Sequence, residues 1–330
     1  MFTGEILHDI RGESNEPVTW KQHRLVTLRL AQAYRRINSP KAHRVLQCGS
    51  SLVFRRYKDN NMKLHASNFC QTRLCPMCCW RRSKRNFARV SKIMDAISCD
   101  YEFLFLTLTC KNVSADSLSS QIDKMYSAYK ALCLRTKFKN AVHGWCRSFE
   151  TTFNWKTSEY HPHFHVVLAV DKNYFTNSSY IEQKEWALLW QSCLETDYLP
   201  IVDIRVLRES EKGKGKEVAE IVKYCVKPTS VMADLRETVA YSEEIQTEVR
   251  RYTDVITDST VYTLDTALAN RRLIGFGGIF KTIHKDLNLS SDDDLIHATN
   301  GDDEPEKNKS YDIERYRWHR GYKNYLRLDD

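Results

Sequence analysis

The sequence predicts an α+β fold, and three observations carry that expectation. Tyr101–Thr109 sets Leu104, Leu106 and Leu108 in alternation with Phe103, Phe105, Thr107 and Thr109, which is the period of a buried strand. Gly144–Asn154 and the strand beginning at His161 alternate likewise, and only a short turn separates them, so they pair antiparallel. Helical spacing fills the intervals, with Leu118, Ile122, Met125, Tyr129 and Leu132 three and four apart and Trp186, Leu189 and Trp190 as a second apolar face.

Length and composition narrow the class. The chain has 330 residues and 42% hydrophobic residues, enough for a main domain with appendages. Its apolar runs end well short of a membrane span, and residues 1–16 lack a basic start followed by a sustained apolar stretch. A cytoplasmic protein with no membrane partner is expected. Fifty Lys and Arg against 42 Asp and Glu give +8, which favours an anionic partner. No acidic residue occurs from Asn60 to Met94, where Arg81, Arg82, Lys84 and Arg85 follow one another closely. That run is the candidate DNA-binding segment, against the plainer reading of a solvated helix face.

In order, residues 1–17 read as a loose arm, and Trp20–Ile37 as an amphipathic helix. The next segment carries Cys48, Cys70, Cys75 and Cys78. A Cys-x2-Cys spacing lets two thiolates reach one tetrahedral ion, and eleven cysteines in a chain without a secretory signal argue for reduced thiols. These four are the candidate zinc ligands, with Cys79 or His65 able to replace one of them. The remaining single cysteines read as small buried residues.

His161, His163 and His165 alternate, so they share one strand face while Phe164, Val166 and Leu168 share the other. Neighbouring imidazoles on one face can hold one divalent ion. If the Gly144–Asn154 strand pairs with this one, Glu150 reaches the same face and completes a two-histidine, one-carboxylate set. A surface glutamate is the competing reading. From Glu217 to Lys227, Val218, Ile221, Val222 and Cys225 form a buried helix stripe, and Glu217, Glu220, Tyr224 and Lys227 form a polar ridge that ends at Pro228.

Arg272-Leu-Ile-Gly275-Phe-Gly-Gly278 lacks the lysine of a Walker motif and reads as a turn. Acidic residues between Leu289 and Ser310 suggest a linker, and the last twenty residues are aromatic and basic.

With these segments in place, the chain resembles the initiators of rolling-circle plasmid replication, within the HUH endonuclease group. The resemblance rests on Phe105-Leu-Thr-Leu-Thr109 with Asn112, on His161-Pro-His163-Phe-His165, and on Glu220-Ile-Val-Lys-Tyr224-Cys-Val-Lys227. The Cys75-Pro-Met-Cys78 segment and the Arg272–Gly278 stretch are also similar. It covers roughly residues 44 to 285 and implies a central antiparallel sheet with flanking helices, the histidine strand in its middle and the tyrosine helix across it. An N-terminal cysteine-rich segment and a mostly helical C-terminal extension complete the expected fold.

By the same resemblance, His163 and His165 hold Mn²⁺ or Mg²⁺, Tyr224 is the nucleophile, Glu220 supports the closing step and Lys227 matches a motif lysine. Glu150 as third ligand comes from strand geometry and from similar acidic ligands in related enzymes. His161 is an alternative ligand or an outer partner. The implied division is an arm and basic helix at 1–40, a cysteine-rich zinc or DNA-binding segment at 41–95 and a nickase domain at 96–230. A DNA-recognition or packing region follows at 231–288, then the linker and tail at 289–330. Implied partners are plasmid DNA at the double-strand origin and its nicked strand, a host helicase, a DNA polymerase and a second copy of the chain. Two other readings cover parts of the same residues: a histidine-triad nucleotide hydrolase or transferase, and a zinc-containing DNA-binding regulator without catalysis.

Overall fold

Two five-stranded antiparallel sheets organise the chain, each inside its own contact-defined unit. The structure is a computed structural model in which residues 2–7, 20–207, 257–289, 295–296 and 310–329 are described. The first unit draws on residues 1–88, 234–262 and 291–330, and the second on 89–233 and 263–290. Both therefore combine stretches distant in the chain, where the sequence suggested consecutive segments.

In the first unit the strands are β1 (Phe2–Ile6), β2 (Ser51–Tyr57) and β3 (Met62–Ser67), with two more from the far end of the chain. Its helices are α1 (Trp20–Arg36), α2 (Ala42–Gln47) and the first half of α3 (Pro76–Ile97). α1 buries Trp20, Leu30, Ala33 and Tyr34, the apolar stripe read from its spacing. Trp20 meets Phe54 and Trp80 edge-on at 6.0 and 4.7 Å. Arg24 donates to the carbonyls of Cys48 and Leu46 at 2.7 Å each, which fixes the turn after α2 beneath α1.

The second unit contains β4 (Tyr101–Thr109), α4 (Ala115–Leu134), α5 (Thr136–Ala141), β5 (Gly144–Asn154), β6 (Glu159–Asp171), α6 (Gln183–Leu194) and β7 (Val202–Val206). A helical run, α7, covers 257–267 and divides between the units; β8 (Ile274–Gly278) and α8 (Ile279–Asp286) follow in the second. Strand order is β7-β4-β6-β5-β8, so the histidine strand β6 lies in the middle. Phe164, Val166 and Leu168 point to one face and are fully buried. Tyr126 and Tyr129 of α4 and Trp190 of α6 pack on Phe164 at 5.3, 5.6 and 6.4 Å. A fully buried side chain of this kind contributes about 1.5–3 kcal/mol by leaving water; Tyr129, Phe164 and Trp190 are buried, Tyr126 half-buried. The two helices thus cover one side of the sheet, and the histidines project from the other.

The glycine-rich stretch expected to be a turn is instead the edge strand β8, paired with β5 from Gly144↔Gly278 to Ser148↔Ile274. A Cβ at Gly277 would lie 2.2 Å from the Trp145 ring, so glycine is what allows the strand to close over that indole.

The helical character expected at the C-terminus is present in α7 and α8, but the last segment adds strands. β9 (Tyr311–His319) and β10 (Asn324–Leu328) form a hairpin, and β9 pairs with β2 from Ser51↔Arg317 to Tyr57↔Tyr311. Glu314, Tyr316 and Trp318 turn inward at alternate positions, so the aromatic residues of the tail are core of the first sheet.

Candidate metal centres and family

Strand register builds the first centre. On β5, Glu150 is opposite His163 and Ser148 opposite His165; on β4, Thr109 is opposite His163 and Thr107 opposite His165. Glu150 Oε2 lies 3.7 Å from His163 Nε2 and 3.4 Å from His165 Nε2. The other ring nitrogens are already engaged: His163 Nδ1–H donates to the His161 carbonyl at 3.0 Å, and His165 Nδ1 meets Thr107 Oγ1 at 3.2 Å. Both Nε2 atoms therefore face the carboxylate and are the ring nitrogens left available to a metal ion.

Burial alone would raise the Glu150 pKa. Hydrogen bonds and charge from His163 and His165 outweigh that and hold its carboxyl well below the usual carboxylate range. The three ligand atoms lie within 4.8 Å of one another. Ligands bonded at ~2.1 Å and right angles to one ion stand ~3 Å apart, so a small contraction would seat a divalent cation. The residues fit that group, with a face left open for substrate oxygens.

His161 is two rungs further along, on the same face. Its ring is 5.2 Å from that of His163, and its Nδ1–H donates to Asn112 Oδ1 at 2.8 Å. It is outside the three-residue set, which places it beside the centre. Tyr224, Glu220 and Lys227 lie outside the described residues.

The second candidate centre is in the other unit. Cys48 follows α2, Cys70 follows β3, Cys75 immediately precedes α3, and Cys78 sits in its first turn. All four are buried. Sulfur separations are 3.5 Å for Cys48–Cys78, 3.5 Å for Cys48–Cys75 and 3.7 Å for Cys70–Cys78. Four thiolates at ~2.3 Å from a tetrahedral zinc would be ~3.8 Å apart, so these sulfurs sit close to the edges of such a tetrahedron. The backbone N–H groups of Cys70 and Thr72 donate to Cys48 Sγ and Cys70 Sγ at 3.3 and 3.4 Å, stabilising charge on sulfur. Hydrogen bonds from Cys48, Cys75 and Cys78 pull the Cys70 thiol down, while hydrogen bonding to Cys70 pushes Cys48 up and hydrogen bonding to Cys48, then Cys70, pushes Cys78 up. Of the alternatives, Cys79 donates to the Arg73 carbonyl at 2.8 Å and His65 is exposed.

The basic run requires a correction. Arg81 and Arg85 are buried, 2% and 3% exposed, and so are not a surface for DNA. Arg81 donates to the carbonyls of Leu295 and Ile296 at 2.9 and 2.6 Å and lies over Trp20 and Trp80. Arg82 is half-buried and donates to the Gln71 carbonyl at 2.6 Å, whereas Lys84 is exposed above the Trp80 ring at 4.8 Å. Charge counted along the sequence did not reveal that α3 turns Arg81 inward, onto backbone carbonyls and indoles, and buries Arg85 as well. Sequence reasoning also missed the roles of Thr107 and Asn112 as partners of His165 and His161, which become visible only once β4 is in register with β6.

A family model described as Replication protein matches residues 61–326. A Protein rep of Bacillus amyloliquefaciens is 39% identical over 313 residues, covering 88% of this chain and 87% of the relative. One from Streptococcus pneumoniae is 34% identical, covering 87% and 86%, and one from a Bacillus species is 40% identical, covering 78% and 84%. No solved structure matches. The match runs through both the last three cysteines and the histidine strand, a span that neither the histidine-triad reading nor the regulator reading explains. On this evidence the chain belongs to the Rep replication-protein family, the plasmid replication initiators that its motifs resemble.

Proposed function

We propose that this initiator is a metal-dependent HUH nickase and strand transferase acting at the double-strand origin of a rolling-circle plasmid. The observation that carries the reading is the convergence of Glu150, His163 and His165 on one sheet face, with both Nε2 atoms aimed at the carboxylate. Mn²⁺ or Mg²⁺ held there would polarise the scissile phosphate and offset charge in the transition state.

The Tyr224 phenol oxygen attacks phosphorus and the P–O3′ bond breaks. The leaving oxygen takes a proton to become a priming 3′-hydroxyl, and the 5′ end stays esterified to the tyrosine. A phenol with an ordinary pKa near ~10 is mostly protonated at neutral pH, so a neighbouring group must accept its proton. Retaining the bond energy in a phosphotyrosine allows later strand transfer. Glu220, four residues before Tyr224, takes a proton from water in the closing step, so termination needs no second adduct. Lys227, three residues after Tyr224 in the sequence, would neutralise phosphate charge.

Zinc on Cys48, Cys70, Cys75 and Cys78 is the second metal proposed, with a structural role because its four protein ligands leave no open position. No Walker motif is found in the sequence, so unwinding falls to a host helicase and extension to a host DNA polymerase, with a homodimer as a further proposed assembly.

The test is incubation of purified protein with supercoiled plasmid carrying its replicon, with and without Mn²⁺, followed by denaturation and detection of protein fixed to DNA. A metal-dependent nick with a 5′-linked adduct, lost in Tyr224→Phe, is the expected result. Origin binding without nicking under any divalent metal would overturn the reading.

A further inference from the structure

The histidine face continues past the metal set toward the tip of the β5–β6 hairpin and ends in an open-sided cavity of about 500 Å³. Thr152 is opposite His161, two rungs beyond Glu150 and His163 and on the same face. Two residues of strand span ~7 Å, a distance one extended nucleotide covers. The cavity is lined by Asn112, Thr152, Phe153, Trp155, Lys156 and His161 among others.

Its chemistry is uneven in an informative way. Phe153 and Trp155 stand edge-to-face at 4.8 Å, both half-buried, and so present an aromatic wall. Lys156 is exposed beside them. The opposite wall is polar and already ordered: His161 Nδ1–H is committed to Asn112 Oδ1, and Asn112 Nδ2 donates to Glu159 Oε2 at 3.4 Å. That chain turns the His161 Nε2 acceptor away from Asn112. The loop carrying Asn112 is held against β6 by paired backbone hydrogen bonds between Val113 and Tyr160, at 2.9 and 2.8 Å. At the tip, the Lys156 N–H donates to Asn154 Oδ1 at 2.9 Å, which shapes the turn that presents Trp155.

We infer that this cavity seats the unpaired base of the nucleotide adjoining the scissile phosphate, stacked on Trp155 and Phe153, with its edge toward His161 and its backbone phosphate toward Lys156. An aromatic wall with a cation beside it is how single strands are gripped, and a polar edge is how one base is told from another. The inference rests on the nickase reading for the identity of its occupant, and it gives His161 a role in positioning substrate beside the metal set.

The experiment uses the full chain and fluorescein-labelled single-stranded oligonucleotides covering the replicon's origin, with an abasic site moved through every position. Binding is followed by anisotropy without added Mn²⁺, and nicking is followed separately with it. For the wild type, one abasic position should weaken binding about 10-fold. Trp155→Ala should weaken binding of the intact oligonucleotide by a similar factor and become insensitive to that same position, while Trp155→Phe should keep both properties. Lys156→Ala should weaken binding at every position alike. Absence of single-strand binding by the wild type, or equal abasic profiles for wild type and Trp155→Ala, would overturn the inference. If the predicted binding profile is found and no strand is nicked under any divalent metal, the cavity assignment stands and the nickase reading falls.

Discussion

Glu150 and His163 face each other directly across the β5–β6 ladder, and the carboxylate also reaches His165, two rungs away on the same face, at 3.4 Å. One acidic side chain thereby reaches two imidazoles on successive same-face positions of the histidine strand, as this antiparallel register places them. Glu150→Gln keeps the shape and removes the charge. Mn²⁺ affinity, measured by titration calorimetry, should fall by at least ~10-fold, with the far-UV circular dichroism unchanged. Because the Glu150 pKa is depressed on folding, its contribution to stability is present above the ordinary carboxylate value and is lost as pH falls through the folded value. Glu150→Gln should be correspondingly less sensitive to pH below that ordinary value.

Thr107 touches His165 Nδ1 at 3.2 Å and fixes the ring through its hydroxyl. Thr107→Val replaces that hydroxyl with a methyl of the same shape, so any change comes through His165 orientation. Outer partners of this kind are worth about 10–100-fold in metal affinity. Mn²⁺ binding should weaken by about 10-fold while the urea midpoint barely moves. An unchanged Mn²⁺ affinity would remove Thr107 from the centre.

The cysteine set makes a separate prediction, because its ligands come from three places that only the folded first unit brings together. Purified protein should carry one zinc per chain by elemental analysis, and Cys75→Ser should carry much less. Chelation should lower the thermal midpoint, since binding energy at such a site is folding energy. Protein free of zinc but fully stable would show that the thiols pack as ordinary core residues.

How far the sequence was legible follows from the range of each interaction. The histidine face could be read because a strand's period of two is local, and Glu150 could be placed because the turn after Asn154 leaves little freedom of register. The cysteine set rested on spacing in the same way. Hidden features depended on distant partners. Arg81 finds its acceptors at Leu295 and Ile296, over 200 residues away, so its burial could not be inferred from a basic run. The tail strand β9 pairs with β2 across a similar separation, so an aromatic and basic composition could not show that Glu314, Tyr316 and Trp318 alternate into a sheet. Thr107 acquired meaning only from the register of β4 on β6.

His23 carries the last prediction, about acid sensitivity of the first unit. Its ring is 4% exposed and stacks on Trp80 with centroids 4.4 Å apart and planes 20° from parallel. Burial, and secondarily the charge of Lys84, pushes its pKa down to about 3 from an ordinary 6.5. Between those two values the unfolded chain binds a proton that the folded chain does not. Stability is therefore undiminished above pH 6.5 and falls as pH drops toward 3, by up to ~1.4 kcal/mol per pH unit from this one group. His23→Phe preserves a ring against Trp80 and removes the proton. Urea unfolding of wild type and variant at pH 7, 6 and 5 should give a difference in stability that grows in favour of the variant as the solution is acidified. A constant difference across that range would mean that His23 binds its proton as readily in the fold as in the unfolded chain, so that burial against Trp80 does not depress its pKa.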